Sequence, residues 1–350
     1  MTPVTRKVRV RVPATSANLG SGFDTVGLAL DYHDELEFTL SADPVNTAAQ
    51  VMIEGEGADT LPRDETHLVV STFRRACQTF GLGRVGFILQ AHNNIPQARG
   101  MGSSAEAIVA GIAAAAASRR TTNSTVMPCL SLPPPSKAIR TTWLRPCTAG
   151  SPCLGTWKPP EGVGSVPIPG GEPLHKGFHT INYRVADDLT AAVFVPDYEL
   201  PTEKARQALP GQLAFKDAVH NVSRVSLLPA AMNPAMLATG QRQDVNALLF
   251  AATQDRLHQP YRAPLMEPSW TLIERLRSHG FASMVSGAAH ACSCCIMATL
   301  ANSWDSLLPK SSLPVIGVCC IWASTPRVCR WNAHEQLHSA DSRFQIQASP

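Results

Sequence analysis

Residues 86–117 leave the chain little freedom in what it can become. A short apolar run at 86–91 predicts a strand, and the Asn-, Pro- and Gly-rich stretch 93–102 predicts a turn. Residues 104–117 are rich in Ala, with Ile, Val and Gly between, and predict a helix. Ser103 and Ser104 at its start and Glu106 in its first turn suit a helix N-terminus, where hydroxyls cap and a carboxylate meets the positive end of the dipole. A strand, a turn-rich loop and an Ala-rich helix in that order belong to a chain that mixes sheet and helix.

The chain has 350 residues, 44% of them hydrophobic, enough for a sizeable core. At ~100–200 residues per domain, two parts are expected, at 1–160 and 161–350. A formal charge of +3 with no basic stripe predicts no nucleic-acid partner. The longest small-apolar run, 108–117, falls short of the ~20 residues that span a bilayer. Residues 1–11 alternate basic and apolar side chains and resemble no secretory leader. The expectation is a globular, cytoplasmic chain with no membrane partner.

Further elements follow from periodicity. Strands are predicted at 8–12, 28–32, 36–40, 178–184, 190–196 and 281–286. Helices are predicted at 66–80, with Leu68, Val69, Phe73 and Cys77 on one face, and at 202–209, 215–232, 245–252 and 266–279. Two stretches do not fit. Residues 118–160 hold eight prolines, six basic residues and no Asp or Glu, and show no periodicity. Beyond Gly287, alternation gives way to Cys, His, Ser and Trp. Nine of the ten cysteines and five of the six tryptophans lie in these two stretches. Either 118–160 and 289–350 are segments out of the reading frame, with intact motifs between them, or they are a genuine divergence with a low-complexity insert. His290, Cys292, Cys294 and Cys295 are too closely spaced for one tetrahedral zinc, and we read them as an accident of that composition.

Two loops carry chemistry. In the first, Pro96, Gln97, Ala98, Arg99, Gly100, Met101, Gly102, Ser103, Ser104, Ala105 and Glu106 lead into the helix. Glycines allow the backbone close to an anion, and the helix start aims free N–H groups at it. Such a loop either cradles phosphates or merely caps a helix, and it has no Gly-Lys-Ser/Thr of the Walker type. The second loop follows the first strand and contains Asn18, Leu19, Gly20, Ser21, Gly22, Phe23 and Asp24. Its amide and carboxylate suit a small polar ligand, although an Asp in such a place is also an ordinary turn residue.

Together the two loops resemble the GHMP kinase superfamily (galactokinase, homoserine, mevalonate and phosphomevalonate kinases), whose nucleotide loop has the form P-x-x-x-G-L-G-S-S-A. The stretch 8–30 is similar to the homoserine kinase branch. So are Pro201-Thr202-Glu203-Lys204-Ala205-Arg206, Asp217-Ala218-Val219-His220-Asn221-Val222-Ser223-Arg224 and His258-Gln259-Pro260-Tyr261-Arg262. The resemblance implies an α+β fold of two intimately packed subdomains, the first ribosomal-S5-like and nucleotide-binding, the second ferredoxin-like. It implies phosphorylation of the L-homoserine hydroxyl with ATP and Mg²⁺, and a homodimer. The loop at 96–106 would wrap the ATP phosphates, with Ser103 on the metal. Asn18 and Asp24 would hold the amino end of homoserine, Arg206 and Arg262 its carboxylate, and Thr202 would lie by the transferred group. Catalysis would rest on Asp24 and Thr202. Another GHMP small-molecule kinase, or an impaired product of the same descent, is the alternative. The family's E-G-H-P-D-N stretch, with its Mg²⁺-binding glutamate, has no counterpart here, since no Asp or Glu lies between Glu106 and Glu161. The third motif, S-G-x-G-P-S, begins at Ser286-Gly287-Ala288 and goes no further.

Overall fold

The computed structural model describes residues 7–118 apart from 42 and 44, then 151–157, 177–183, 185–186, 189–196, 198, 200–237, 244–287 and 291–297; of 151–157, 177–182 and 291–297 it describes the backbone. Most of the two compositionally odd segments therefore lies outside the described residues, His290 included.

The first sheet begins with β1 (Lys7–Ala17) and β2 (Gly27–Leu40), paired antiparallel from Lys7↔Thr39 to Ala17↔Gly27. The register shifts between Pro13 and Thr15. β3 (Ala49–Gly55) lies parallel to β4 (Phe87–Asn93), β4 pairs antiparallel with β2, and the order is β1-β2-β4-β3. Two predicted strands are thus one. In β2, Leu28, Leu30, Tyr32, Asp34, Leu36, Phe38 and Leu40 all point to the core, while Asp31, Glu35 and Thr39 are exposed. Asp34 breaks the apolar row by type but not by position. β3 was not expected.

α1 (Leu68–Thr79) and α2 (Ser103–Ser118) cover this sheet. α1 buries Val69, Val70, Phe73, Ala76 and Cys77; Leu68, expected inside, is exposed. The small residues of α2 have a geometric reason. A Cβ on Gly111 would come within 2.7 Å of the Val69 carbonyl, so the two helices touch backbone to backbone. Beneath them Phe38, Phe73 and Phe87 form one aromatic cluster, with centroids 4.6–5.7 Å apart. Burying each ring contributes about 1.5–3 kcal/mol.

β5 (Ser151–Trp157) pairs antiparallel with β6 (Gly177–Tyr183). β5 lies at the end of the 118–160 stretch, where the sequence shows no periodicity and no strand was expected. A third sheet has the order β7-β9-β8, all antiparallel, from β7 (Leu189–Phe194), β8 (Ala282–Ser286) and β9 (Ala291–Met297). Its central strand comes from the region where sequence patterning fails. Cysteine is a small apolar residue, and Ala291-Cys-Ser-Cys-Cys-Ile-Met297 carries no charge to oppose a central place in a sheet.

The helices of the second half are α3 (Thr202–Gln207), α4 (Phe215–Val225), α5 (Leu228–Met232), α6 (Val245–Ala252), α7 (Gln259–Arg262) and α8 (Glu267–Ser278). The helix expected over 215–232 is two, because the Pro229 ring would clash with the carbonyl four residues back, at Val225. α8 packs Leu272, Ile273 and Leu276 against Phe281 and Val285. One further apolar cluster runs through both halves, joining Leu19, Leu28, Ile95 and Met101 to Val193, Leu249 and Met284. The α+β architecture is therefore built around cores that hold the halves together. Among the described residues no helix is long and apolar enough to cross a membrane.

Candidate active site

The glycine loop leaves β4 and climbs to α2 through left-handed backbone at Ala98 (φ 53°), Gly100 (75°) and Gly102 (82°). Two of these three are glycines because that region is costly for a side chain. Gly102 has a second reason: a Cβ there would lie 2.2 Å from Thr15 Oγ1. The Thr15 N–H donates to the Met101 carbonyl at 2.9 Å, and Ser286 Oγ donates to Gly100 O at 3.0 Å. β1 and β8 thus grip the loop from opposite halves of the chain. Gly287, also left-handed (φ 69°), sits so close that its Cβ would be 2.7 Å from Gly100 O. The loop ends on the first turn of a sixteen-residue helix, whose leading N–H groups have no intrahelical partner. Such free N–H groups at the positive end of a helix are of the kind that bind anions. Ser104 is exposed there, Ser103 is buried, and Glu106 turns into the core toward Asp34.

The second predicted loop folds on itself. Asn18 (φ 58°) and Asp24 (φ 55°) are both left-handed, which is strained for a residue with a side chain and held only by strong surroundings. Asn18 Oδ1 accepts the Asp24 N–H at 2.9 Å, and its Nδ2 donates to Gly287 O at 2.7 Å. One Oδ1 lone pair and one N–H remain to it.

Asp24, Arg206 and Arg262, far apart in sequence, meet here. Arg206 donates Nη1 and Nη2 to the two Asp24 oxygens at 3.3 and 3.1 Å, a bidentate ion pair about one-third exposed. Arg206 Nε is buried and has no hydrogen-bond partner among the described residues. Arg262 is 1% exposed. Its Nε donates to Ala205 O at 3.2 Å, and its guanidinium lies 5.1 Å over the Phe23 ring. Burial lowers its pKa to about 10, against the pull of Asp24 and with Arg206 adding to the decrease, so it stays charged at neutral pH. Thr202 is exposed at the first position of α3, one turn ahead of Arg206.

Sequence reasoning passed over the residues that hold these in place. His258 is fully buried, stacked on Phe23 at 4.9 Å, with Nε2 3.0 Å from Gly20 O and Nδ1 3.3 Å from Arg262 Nη1. A carbonyl only accepts, so Nε2 carries the proton and Nδ1 accepts from Arg262. Burial lowers the His258 pKa, with Asp255 opposing and Arg262 reinforcing, which keeps the ring neutral. Asp255 accepts the backbone N–H groups of Leu257, His258 and Gln259 and the Asn221 Nδ2. His258 and Asn221 stand inside two quoted motifs, which was the available signal.

Residues 67–125 match the family of the GHMP kinases N terminal domain. A homoserine kinase of Cutibacterium acnes is 40% identical over 291 residues, covering 80% of this chain and 86% of that protein. The chain belongs to the homoserine kinase family. This kinase is also 37% identical to a homoserine kinase of Corynebacterium efficiens, over 81% of this chain and 84% of that one. Among solved structures, homoserine kinase from Cytophaga hutchinsonii superposes with a TM-score of 0.61 at 20% identity, over 93% of this chain and 96% of that chain. Mevalonate kinase from L. major reaches 0.58 at 12%, over 88% and 93%. At those identities the likeness concerns the fold, which is that of the GHMP kinases. As a member of this family the chain is an ATP-using phosphotransferase.

Proposed function

We propose that this kinase transfers the γ-phosphoryl group of ATP to the side-chain hydroxyl of L-homoserine, giving O-phospho-L-homoserine on the way to threonine. The observation that carries the reading is the Asp24–Arg206 pair beside buried Arg262. An amino acid brings one ammonium and one carboxylate. Its ammonium replaces Arg206 on Asp24, with the spare Asn18 oxygen lone pair beside it. Its carboxylate takes the freed Arg206 fork, the unpartnered Nε included, together with Arg262. Bidentate guanidinium–carboxylate geometry favours arginine at both places. A sugar or isoprenoid alcohol could not make this exchange, because it would leave both charges of the pocket unmatched.

With both ends held, the side-chain hydroxyl of the substrate projects toward the glycine loop. Residues 96–105 cradle the ATP phosphates through backbone N–H groups and the start of α2, while Glu106, expected among them, is buried toward Asp34 instead. The hydroxyl oxygen forms the new P–O bond while the bond to the ADP oxygen breaks, and the hydroxyl proton leaves with the transferred phosphate or to water. Thr202, exposed one turn ahead of Arg206, orients the group in transit. The pocket needs no strong base, since positioning and charge neutralisation dominate phosphoryl transfer. A Mg²⁺ ion bound there would supply charge neutralisation for the phosphates. Among the described residues the loop offers such an ion the Ser103 hydroxyl and no free carboxylate, so its ligands would be chiefly phosphate oxygens.

Coupled assay of ADP release with L-homoserine, and with acceptors lacking either the amino or the carboxyl group, tests this. L-homoserine alone should support turnover. Arg206→Lys, which loses the fork, should raise KM for L-homoserine by ~10-fold or more with KM for ATP unchanged. ADP release indifferent to the acceptor's charges would overturn the reading.

A further inference from the structure

A pair of buried acids beneath the phosphate loop takes no part in the chemistry above. Asp34 is fully buried on the core face of β2, and Glu106 is 4% exposed in the first turn of α2. Asp34 Oδ1 accepts the N–H groups of Asn94 (2.6 Å) and Ile95 (2.8 Å), the two residues that lead from β4 into the loop. Tyr32 Oη donates to Asn94 O, and Asn94 Nδ2 donates to His33 O, so this lead-in is tied to β2 three ways. The carboxyl groups of Asp34 and Glu106 interact directly. Yet Asp34 Oδ2 and Glu106 Oε1 have no donor among the described residues. Two ionised carboxylates in contact inside a core would be strongly unfavourable, and among the described residues no cation offsets them. The other charge acting on Asp34 is that of Glu56, also negative. One proton between the two groups supplies the missing donor and removes one charge.

We propose that Asp34 and Glu106 act as a single acid–carboxylate unit, with the proton on Glu106, and that this unit positions the phosphate loop by fixing its lead-in and its helix to each other. Asp34 holds the N-terminal end of the loop through two amides, and Glu106 belongs to the helix at the other end. The proton-mediated link closes the base of the loop, so its backbone N–H groups are already aimed when ATP arrives. Burial pushes both groups toward the protonated form, Asp34 to about 6 and Glu106 well above its ordinary value, which agrees with Glu106 as the holder of the proton. Both are positioning residues; neither needs to touch the nucleotide.

This rests on the loop binding ATP, and the test separates the two ideas. KM for ATP, KM for L-homoserine and kcat are measured for Glu106→Gln, Glu106→Ala and Gly102→Ala. Glu106→Gln keeps a donor at the same reach, so KM for ATP should stay within about threefold of wild type. Glu106→Ala breaks the link and should raise KM for ATP by ~10-fold or more, leaving KM for L-homoserine unchanged. If Glu106→Ala does not fold, Glu106→Asp, which withdraws the carboxyl by one methylene, should shift KM for ATP in the same direction. An unchanged KM for ATP in the variant that breaks the link overturns the positioning role. A Glu106→Gln variant as impaired as that one overturns the placement of the proton. If Gly102→Ala also leaves KM for ATP unchanged, the loop reading itself has failed.

Discussion

Gly287→Ala measures how tightly β8 presses on the phosphate loop. The new Cβ would need left-handed backbone at φ 69° and would meet Gly100 O, Cα and C at 2.7, 2.9 and 3.1 Å. The first cost is about 1–2 kcal/mol for a side chain in that region. The second is steric, and the atoms met are backbone, already held by Ser286 Oγ, so they cannot swing aside as a flexible side chain would. Overpacking of this kind costs about 1–3 kcal/mol, which brings the sum to roughly 2–5 kcal/mol. Gly81, at the C-terminus of α1, provides the control. Its φ is 70°, yet a Cβ there would meet nothing within 4 Å, so Gly81→Ala carries the backbone cost alone. At roughly 2 °C per kcal/mol for a chain of this size, thermal unfolding should fall by about 4–10 °C for Gly287→Ala and by about 2–4 °C for Gly81→Ala. Gly287→Ala should also weaken ATP binding, measured by titration, and Gly81→Ala should not. Equal melting shifts for the two variants would refute the argument from close approach.

Three more outcomes are expected. His258 must be neutral to accept from Arg262, and its folded pKa lies below the unfolded value of 6.5. Its contribution to stability is therefore present above about pH 6.5 and lost as pH falls through the folded value. Between pH 7 and 5, wild type should lose stability relative to His258→Asn in urea titrations, and parallel curves would count against the neutral tautomer. The raised values of Asp34 and Glu106 act in the opposite direction, which is why the difference between the two proteins is the quantity to read. Leu89→Ala, at a fully buried position under α1 and α2, should cost about 2–5 kcal/mol in the same titration without altering KM for L-homoserine. Chelation by EDTA should abolish homoserine-dependent ADP release, and added Mg²⁺ should restore it.

What the sequence disclosed, it disclosed through local pattern. Val8, Val10 and Val12 alternating with Arg9 and Arg11 announce β1, and the Ala-rich run of 104–117 announces α2. The loops were legible because close backbone approach demands glycine whatever surrounds it. Asp34 split β2 into two expected strands, since a carboxylate at a core position reads as a break until its two amide donors are seen. β3 escaped because only Val51 and Ile53 face inward, while Met52 on the outside is half exposed. β9 escaped because cysteines did not count as strand formers. The site's supports were hidden for another reason. The bond from His258 to Gly20 spans 238 positions and that from Ser286 to Ser16 spans 270, and no window along the chain contains both partners.

Those long spans bear on how the protein comes into being. Thr15 and the loop can meet as soon as the first sheet forms, but Ser286 and Gly287 leave the ribosome much later. An emerging chain can complete the sheet of β1 to β4 with α1 and α2 while the phosphate cradle is still gripped on one side only. Nucleotide affinity is then acquired late in synthesis, after most of the polypeptide has been committed to structure. A radiolabelled ATP analogue applied to stalled nascent chains would record that moment as a step near Gly287, a timestamp for the joining of the two ends.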